Sequence, residues 1–544
     1  MRSFKPKKKT VVLLLIGILF LTYSFQSKFF EVAKQIEIYN TLFKELNMYY
    51  VDEISPAEFT NKAIKNTLKD LDPYTSFYTE QDVETAKIRR AGEYGGIGVT
   101  VNYIKQGIEI SEIYKGFSAD KAALKAGDVI ISVDNQSLKN MEREQLSMLL
   151  KGIPNSTFSA EIIRQGKVIK KEIIRDKVII NPVPFADMIA KETGYIVLTR
   201  FNDKASSEVK KAYQKLKKQG MTKLVFDLRY NPGGSLLESI RIANFFLPKG
   251  KKIVSTKAKI KKWSTTYNTK NEPLDLEIPI VVLINERSAS ASEIVSGSLQ
   301  DYDRAVIMGK RSFGKGLVQR QKKLVYGTQL KLTISKYYTP SGRCIQELDY
   351  ENRDLKTGEV PKFSEKGINA FKTANGRTVY DGGGVMPDVE IATSDTNETT
   401  DKLIKSKAIF NFSTRYFYEN PTLENLADFN FKNSDFNKFV DYLKIDTTFV
   451  TLQESLFEKA FLAAKENNIS KAYNEIKEQL AKDKIIELSK NKDIILPLIK
   501  AEILERFFYK EGVYQYNLKN DKTIYEALVL LNNIDKYNKI LLIN

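Results

Sequence analysis

The sequence predicts a multidomain α/β protein with an inserted β-rich domain and helical regions at both ends. The 544 residues of the chain exceed the roughly 100–200 residues of a single domain. Strand-like and helix-like segments alternate between residues 194 and 309, which is the order of an α/β layer with largely parallel strands. Short β-rich runs separated by glycine precede this stretch, and glycine and proline become rare after about residue 395.

The composition narrows the chemistry that this protein can perform. The chain has no histidine and a single cysteine, Cys344. Catalytic triads based on histidine, intramolecular disulfides and Cys/His zinc or iron–sulfur sites are therefore excluded, and we expect no metal. The 85 Lys and Arg residues outnumber the 67 Asp and Glu residues, which gives a formal net charge of +18. This charge is spread along the chain rather than concentrated in a basic run with interleaved aromatics, so we expect no nucleic-acid partner.

The first 30 residues are typical of an export signal. An apolar run from Val11 to Phe25 follows five basic residues, Arg2, Lys5, Lys7, Lys8 and Lys9. A run of about 15 residues is short for a membrane-spanning helix, which needs about 20, but fits the apolar region of a signal peptide. No small-residue cleavage site follows cleanly, so an uncleaved membrane anchor stays open as the alternative. We predict that residues 1–30 are a signal peptide or membrane anchor. The body then lies in the periplasm or cell envelope, tethered to the inner membrane by residues 11–25.

Two further segments precede the α/β layer. Residues 31–90 are predicted to be a small helical region, in which Ser55 before Pro56 marks a helix start, an N-cap followed by proline. Residues 91–175 are predicted to be a small β domain, because β-rich runs alternate there with glycine turns.

The α/β layer is predicted over residues 176–395 and a helical domain over residues 396–544. The predicted strands of the layer lie at 194–201, 223–229, 278–286 and 304–309. Its predicted helices lie at 206–218, 235–247 and 291–302. Polar, Lys/Glu-rich helical patterns continue from there to the end of the chain.

A serine-rich segment between a predicted strand and a predicted helix suits a nucleophile. Residues 287–293 contain three serines directly after an apolar strand, and the free amides and positive dipole of a helix start can stabilise an oxyanion. A structural interpretation competes with this one. Ser290 and Glu293 match the S-x-x-E capping box, in which the serine only satisfies a helix amide.

Lys315 is the candidate base for such a serine, because a lysine kept neutral by burial is the usual substitute for imidazole. Gly314 and Gly316 favour a turn and strand here over a helix. In a strand, Lys315 and Gln319 would share one face, since strand side chains repeat with period two. The stretch from Ser312 to Lys315 also matches the S-x-x-K pattern of penicillin-recognising enzymes, an alternative that requires a helix.

Six strings along the chain point to one family: DPYTSFYT, FDLRYNPGG, NERSASASEI, GKRSFGKGLVQ, KYYTPSGRCIQ and GGGVMPDVEI. Over about residues 31–395 the chain resembles the carboxyl-terminal processing proteases, the tail-specific serine peptidases of family S41. The resemblance implies an α/β serine-protease core with a ClpP/crotonase-like layer. Ser290 lies 25 residues before Lys315, and Gln319 lies four residues after it, which is the family's spacing. The resemblance therefore implies that Ser290 is the nucleophile, Lys315 the general base and Gln319 its support.

The same resemblance implies an oxyanion hole made of backbone N–H groups. These belong to Ala291 and to the turn that contains Gly233 and Gly234, where glycine lets the backbone approach a substrate carbonyl closely. One departure from the family is Cys344, which stands where other members often have serine or another small residue and leaves the exposure of its thiol as a question.

The β domain at residues 91–175 resembles the PDZ module of this family, chiefly through the string GDVIISVDN. The resemblance implies that the loop Gly96-Ile97-Gly98-Val99 binds a free C-terminal carboxylate through successive backbone N–H groups. An ordinary β-turn is the local alternative for this loop.

A predicted helix near residues 141–150 would form the other wall of the peptide groove. Leu146 and Leu149 or Leu150 would be its apolar lining. Arg164 occupies a place where family members can couple the PDZ domain to the protease.

The resemblance implies a serine endopeptidase that cuts exported proteins near their carboxyl termini, without a metal or an organic cofactor. Protein substrates with free apolar C-termini and a membrane are its expected partners, and a homo-oligomer or an adaptor stays open. Because a lysine base must be neutral to act, activity is expected to rise with pH. Two alternatives remain, a catalytically weak PDZ adaptor and a membrane scaffold that holds partners through its helical C-terminal domain.

Overall fold

The computed structural model divides the chain into two compact units, Met1–Phe77 and Tyr78–Asn544. The residues that it describes are 8–354, 356–366, 368–392, 396–464 and 470–543.

The first unit is mainly helical, as predicted. Helix α1 spans Lys8–Tyr49 and helix α2 spans Pro56–Lys69. The Ser55 hydroxyl accepts a hydrogen bond from the Glu58 amide, which confirms the predicted N-cap. The short strand β1, Ser76–Tyr78, follows at the boundary between the units.

The predicted export segment is only partly described. The backbone of the apolar run at residues 11–25 belongs to α1. The side chains of this run and of all five basic residues lie outside the described residues, as do residues 1–7 altogether. In the part of the chain that could be searched, no helix combines the length and the apolar character that crossing a membrane requires.

The second unit begins with a helix and a β-rich domain. Its elements are α3 (Glu80–Ala91), β2 (Glu93–Gly96), β3 (Val99–Ile104), β4 (Gly107–Ile113), α4 (Ser118–Lys121), β5 (Val129–Val133), β6 (Gln136–Ser137), α5 (Arg143–Leu149), β7 (Thr157–Arg164), β8 (Lys167–Ile174) and β9 (Asp176–Ile179). Strands β3, β4, β5, β7 and β8 form an antiparallel sheet in that order. Buried aliphatic side chains such as Ile108, Ile110 and Ile130 form its core.

The α/β layer follows, with a smaller sheet beside it. The elements of this region are β10 (Phe185–Met188), β11 (Thr193–Val197), α6 (Ala205–Lys218), β12 (Lys223–Asp227), α7 (Leu236–Asn244), β13 (Lys252–Ala258), β14 (Thr266–Asn268), β15 (Ile280–Ile284), α8 (Ala291–Asp301), β16 (Val306–Gly309), β17 (Leu317–Lys323), β18 (Gln329–Tyr338), β19 (Ala370–Lys372), β20 (Thr378–Tyr380) and β21 (Val389–Glu390). The alternation of strands and helices confirms the predicted α/β class, whereas the ClpP/crotonase-like layer stays a prediction.

Strand order explains how distant residues come together. The main sheet has the order β10-β11-β12-β15-β16-β21, and its strands are parallel except for β10. Asp227 at the end of β12 is paired with Leu283 of β15. The segments that leave these two strands therefore meet at one edge of the sheet, which is where ligands bind in open α/β sheets.

The remainder of the chain is helical, as predicted. Its helices are α9 (Glu398–Lys405), α10 (Ala408–Glu419), α11 (Asn433–Leu443), α12 (Leu452–Ala464), α13 (Ser470–Lys490), α14 (Lys492–Asn520), α15 (Lys522–Asn532) and α16 (Ile534–Leu541). Helices α9 to α11, α13 and α14 share an apolar core that includes Phe412, Phe439 and Ile499.

Helices α15 and α16 pack on the main sheet. Alternate strand residues such as Val225 and Val281 face Ile524 and Leu530 of α15, while their neighbours face helices α6, α7 and α8 on the other side. The Tyr537 hydroxyl accepts a hydrogen bond from the Ile280 amide at 3.0 Å and donates one to the Ile280 carbonyl at 3.1 Å. The sheet is thus buried on both faces, which a parallel sheet requires.

This packing predicts that Ile524→Ala destabilises the whole second unit. Ile524 is 0% exposed, and removing such a side chain costs about 2–5 kcal/mol through lost burial and the cavity left behind. Thermal unfolding of the full chain should show a lower midpoint. The neighbouring Tyr525, which is 63% exposed, provides the matched control, since Tyr525→Ala should leave the midpoint nearly unchanged. Equal effects of both variants would contradict the packing.

Candidate active site

Ser290 occupies a strained position at the edge of the main sheet. It lies between β15 and α8, is half-buried, and has φ +56° and ψ −110°. Such a backbone is costly for a non-glycine residue and is typical of functional positions such as the nucleophile elbow of α/β-hydrolases.

The two neighbouring serines are used structurally. Ser288 and Ser292 are both fully buried. The Ser288 hydroxyl donates to the Leu228 carbonyl at 2.8 Å, and the Ser292 hydroxyl donates to the Asn231 carbonyl at 2.9 Å. Of the three serines in this segment, Ser290 is therefore the one whose side chain is partly accessible.

Glu293 connects the serine segment to the lysine segment. Its Oε2 atom accepts the backbone N–H of Ser290 at 2.6 Å and that of Lys315 at 3.0 Å. Its Oε1 atom accepts the Ser312 hydroxyl and the Gly314 N–H, both at 2.6 Å. A single carboxylate oxygen thus fixes the backbones of both proposed catalytic residues.

The environment of Glu293 is unusual for a carboxylate. Burial raises the pKa of the Glu293 carboxyl, although the hydrogen bonds from Ser312, Gly314, Ser290 and Lys315 act in the opposite direction. The sequence pattern indicated Glu293 only as half of a capping box. The hydrogen bond from the Ser290 N–H to Glu293 that such a box requires is present. The sequence signal for the further contacts of Glu293 was its charge, since its neighbours in the predicted helix are mostly small or apolar.

Lys315 lies just before β17, as the flanking glycines indicated. Residues 311–316 are neither helix nor strand, so the S-x-x-K alternative, which requires a helix, is wrong. The Ser312 hydroxyl instead donates to Glu293 and accepts the Val385 N–H at 2.7 Å.

The prediction that Lys315 and Gln319 share one strand face stays untested, because Lys315 precedes β17, which begins at Leu317. Within the strand, Val318 pairs with Ser335 and Gln319 with Thr333, so the extra residue of this bulge, Ile334, lies on β18. The Gln319 amide donates to the Thr333 hydroxyl at 3.2 Å. Support of Lys315 by Gln319 stays a prediction.

The glycine turn lies directly against Ser290. A Cβ on Gly233 would be 2.8 Å from the Ala291 nitrogen and 2.9 Å from the Ser290 Cβ, so only glycine fits. The Gly233 N–H, however, donates to the Asn231 side chain at 2.9 Å. Within this turn Gly233 is therefore engaged elsewhere, and Gly234 and Ala291 are the better candidates for oxyanion donors.

Asn231 was missed as an organising residue. It is fully buried. Its side chain also donates to the Leu198 carbonyl at 2.7 Å, and its own carbonyl accepts the Ala289 N–H at 3.0 Å and the Ser292 hydroxyl. Asn231 thereby joins the glycine turn to the serine segment.

Comparison with known proteins assigns this arrangement to a family. "Peptidase family S41" matches residues 192–352, "PDZ domain" matches residues 85–158, and "Probable PDZ-protease, C-terminal helical domain" matches residues 399–531. A "Carboxy-terminal-processing protease" of Bartonella bacilliformis is 33% identical over 319 residues, which cover 58% of this chain and 73% of that protein. This chain belongs to peptidase family S41.

Other relatives carry related descriptions. A "Probable CtpA-like serine protease" of Staphylococcus aureus strain COL is 29% identical over 417 residues, or 74% of this chain and 80% of that protein. The match to the protein of strain bovine RF122 is 32% identical but spans only 61% of its length and 56% of this chain. The solved "photosystem II D1 C-terminal processing protease" is 26% identical, with 64% of this chain and 86% of that chain covered and a TM-score of 0.36. As an S41 member, the chain is a serine-type peptidase with a PDZ domain.

In the PDZ domain, the predicted carboxylate-binding loop depends on glycine. Gly98 has φ +76°, a conformation that glycine favours. A Cβ there would lie 2.4 Å from the Phe117 Cβ. The Ile97 carbonyl accepts the Ala119 N–H at 2.8 Å, and the Gly98 carbonyl accepts the Tyr114 N–H at 2.9 Å. Carboxylate binding by this loop stays a prediction.

The other predicted groove residues lie around this loop. Gly96 ends β2 and Val99 begins β3. On α5, Leu146 is 1% exposed and belongs to the core of the PDZ domain, whereas Leu149 is partly buried against that core. Leu146 thus supports the helix from inside, and peptide contact by either leucine stays a prediction.

Arg164 makes its hydrogen bonds within the PDZ domain. Its guanidinium donates to both carboxylate oxygens of Asp128, at 2.8 and 2.7 Å, and to the Ala123 carbonyl at 2.8 Å. In this conformation it stabilises the PDZ fold, and its predicted coupling role is untested.

The PDZ domain is joined to the C-terminal helices by charged residues. Lys115 pairs with Glu511 at 2.9 Å, and Lys510 pairs with Glu112 at 2.7 Å. Directly before these two residues on α14, Tyr509 interrupts the helix with φ +57°, and its hydroxyl donates a hydrogen bond to the carboxylate of Asp120 in the PDZ domain.

Cys344 is half-buried. Burial raises the pKa of its thiol. Because the thiolate is the reactive form, this position does not favour a reactive cysteine.

Tail preference should depend on the shape of the Gly98 loop. Gly98→Val combines strain at positive φ with a clash against Phe117, so the backbone N–H groups should lose their alignment. A hydrogen bond to a charged group is worth about 1.5–3 kcal/mol, so losing one predicts about a ten- to hundredfold weaker preference for a free tail. Cleavage rates of one unstructured substrate with a free and with an amidated C-terminus measure this preference.

The matched control for that experiment is Gly166→Val. Gly166 also has positive φ, +74°, but a Cβ there meets no atom within 4 Å, so tail preference should persist. If the wild-type enzyme cuts free and amidated substrates equally, tail specificity is absent.

Proposed function

We propose that this S41 peptidase is an endopeptidase that uses a Ser290–Lys315 dyad to cut exported proteins near their C-termini. The observation that carries the proposal is the shared acceptor of the dyad, the Glu293 Oε2 atom, which binds the backbone N–H groups of both residues. A nucleophile and a base on separate segments need such a common anchor, because catalysis depends on their relative position.

The proposed reaction begins with neutral Lys315. The Ser290 hydroxyl oxygen attacks the scissile carbonyl carbon and its proton passes to the Lys315 amine. The lysine then gives this proton to the leaving amine as the C–N bond breaks, which leaves an acyl ester on Ser290. Water hydrolyses the ester with Lys315 again as base, and serine is regenerated.

The developing oxyanion needs donors beside Ser290. The amide of Ala291 is at the N-terminus of α8, where the first amides lack intrahelical partners, and the turn with Gly234 lies close to it. Backbone donors fixed in this way stabilise the transition state more than the ground state. Asn231 would release the Gly233 N–H only if this turn rearranged.

Substrate selection is proposed to lie in the PDZ domain. Its Gly98 loop has the left-handed glycine and close packing that a backbone nest requires, and strand pairing beside it would hold an extended tail. Protein substrates with free apolar C-termini are therefore the proposed partners.

The structure sharpens the test of the scaffold alternative. Deleting residues 396–544 would remove α15 and α16 from the main sheet and expose its apolar face. Loss of activity in that truncation would then report misfolding rather than a lost partner. Point variants in the full chain are the cleaner test.

Ser290→Ala and Lys315→Ala should each abolish cleavage while the fold persists. Residues that act as one unit lose nearly all activity singly, so each change should lower kcat by about 10⁴-fold or more. Mass spectrometry of the products from a tagged unstructured substrate measures both activity and the site of cleavage. Ser288→Ala and Ser292→Ala should be far milder, since the Ser288 hydroxyl binds Leu228 and Asn285 and the Ser292 hydroxyl binds the Asn231 carbonyl. A near-wild-type rate for Ser290→Ala or Lys315→Ala would refute the dyad.

We propose that the protein is exported, on the basis of its N-terminal basic and apolar residues. The side chains of these residues lie outside the described part of the chain. Cell fractionation combined with the mass of the mature N-terminus separates the two forms. An intact N-terminus in the membrane fraction indicates an anchor, and a protein trimmed within about the first 30 residues indicates a cleaved signal peptide. Recovery of the intact chain from the cytoplasm would contradict export.

A further inference from the structure

A partly buried ion pair joins the C-terminal helices to Arg229, two residues before the glycine turn at residues 231–234. Arg229 Nη1 donates to Asp521 Oδ2 at 2.7 Å across 292 positions of sequence. The two side chains are only 15% and 19% exposed. Asp521 is also the N-cap of α15, because its other oxygen accepts the N–H groups of Thr523 and Ile524 at 2.8 and 3.2 Å.

Arg229, the basic partner of this ion pair, is also bound to the end of β12. The amide and the guanidinium of Arg229 both donate to Asp227, at 2.9 and 2.7 Å. The Tyr195 hydroxyl donates to the same carboxylate at 2.6 Å. Arg229 is thus held between a carboxylate of its own strand end and one of α15.

The residue that follows is strained. Tyr230 has φ +61°, which is uncommon for a bulky side chain and persists only when the surroundings fix it. On one side Arg229 is held by its two carboxylates, and on the other Asn231 is anchored through four hydrogen bonds to Leu198, Gly233, Ala289 and Ser292. The direction of the glycine turn therefore depends on both anchors.

The charges agree with this arrangement. Burial lowers the pKa of the Arg229 guanidinium. The negative charges of Asp227 and Asp521 raise this pKa by more than burial lowers it, so it lies above the usual value. Arg229 remains a cation that both carboxylates bind. Loss of the Asp521 charge would leave the Nη1 group of Arg229 without its acceptor in α15.

We propose that Asp521 is a positioning residue for peptide cleavage. It holds Arg229 and thereby the turn whose backbone amides face the oxyanion, an inference that rests on the proposed function of that turn. Asp521 does not touch the substrate and acts through Arg229. In this view the C-terminal helical domain completes the active site.

The test uses Asp521→Asn in the full chain. Asparagine retains N-cap hydrogen bonding but removes the charge that holds Arg229. With a short peptide that reaches Ser290 directly, kcat should fall about 10- to 100-fold, less than the 10²–10³-fold effect of deleting an oxyanion donor, while KM and the melting temperature stay near wild type. Hydrogen exchange of amides in residues 230–234 should become faster. Asp521→Glu, which keeps the charge, should restore part of kcat.

Two controls separate positioning from stability. Asn533→Ala removes the cap of α16, where Asn533 accepts the Lys536 N–H at 3.0 Å, and should lower the melting temperature without lowering kcat. The double variant Asp521→Asn/Arg229→Gln should lower kcat no more than Arg229→Gln alone, since both changes remove the same contact. An unchanged kcat, an effect on KM alone, or unchanged exchange at residues 230–234 in Asp521→Asn would overturn the proposal.

The exchange measurement does not require catalysis. If the wild-type chain fails to cut any substrate, the proposed function fails. Faster hydrogen exchange at residues 230–234 in Asp521→Asn would then still show that Asp521 stabilises the turn. Unchanged exchange would refute this role.

Discussion

The buried carboxylate of Glu293 holds together the two segments that carry the proposed dyad. Four donors from residues 290, 312, 314 and 315 converge on its two oxygens. Burying a charge without partners is very costly, whereas each hydrogen bond to a charged group is worth about 1.5–3 kcal/mol. The serine and lysine segments therefore have a strong reason to adopt one relative position, because any other would leave this carboxylate unsatisfied.

The sheet beneath this carboxylate decides which segments can meet. Strands β12 and β15 are parallel neighbours, so the glycine turn after one and the serine segment after the other emerge at the same edge. Asn231 then links the two through its carbonyl and its side chain. Helices α15 and α16, which come last in the sequence, cover the face of the sheet that α6, α7 and α8 leave open.

Most of the fold could be predicted from local patterns. Strand and helix alternation identified the α/β layer, and Ser55 before Pro56 located a helix start, because propensity and capping act over a few residues. The spacing of Ser290, Lys315 and Gln319 came from family resemblance. Strand periodicity could not place Lys315 relative to Gln319, because Lys315 lies before β17, which begins at Leu317.

The sequence by itself determined the absence of imidazole chemistry, the order of the strands and helices, and the family, since composition and motif spacing are properties of the chain alone. The tertiary structure decided which serine is accessible, because the Ser288 and Ser292 hydroxyls bind backbone carbonyls from the preceding strand and turn. It also decided that Glu293 is an anchor and that Asp521 reaches Arg229. Each of these depends on atoms from segments far apart in sequence, whose meeting is set by strand order and helix packing and leaves no local signal.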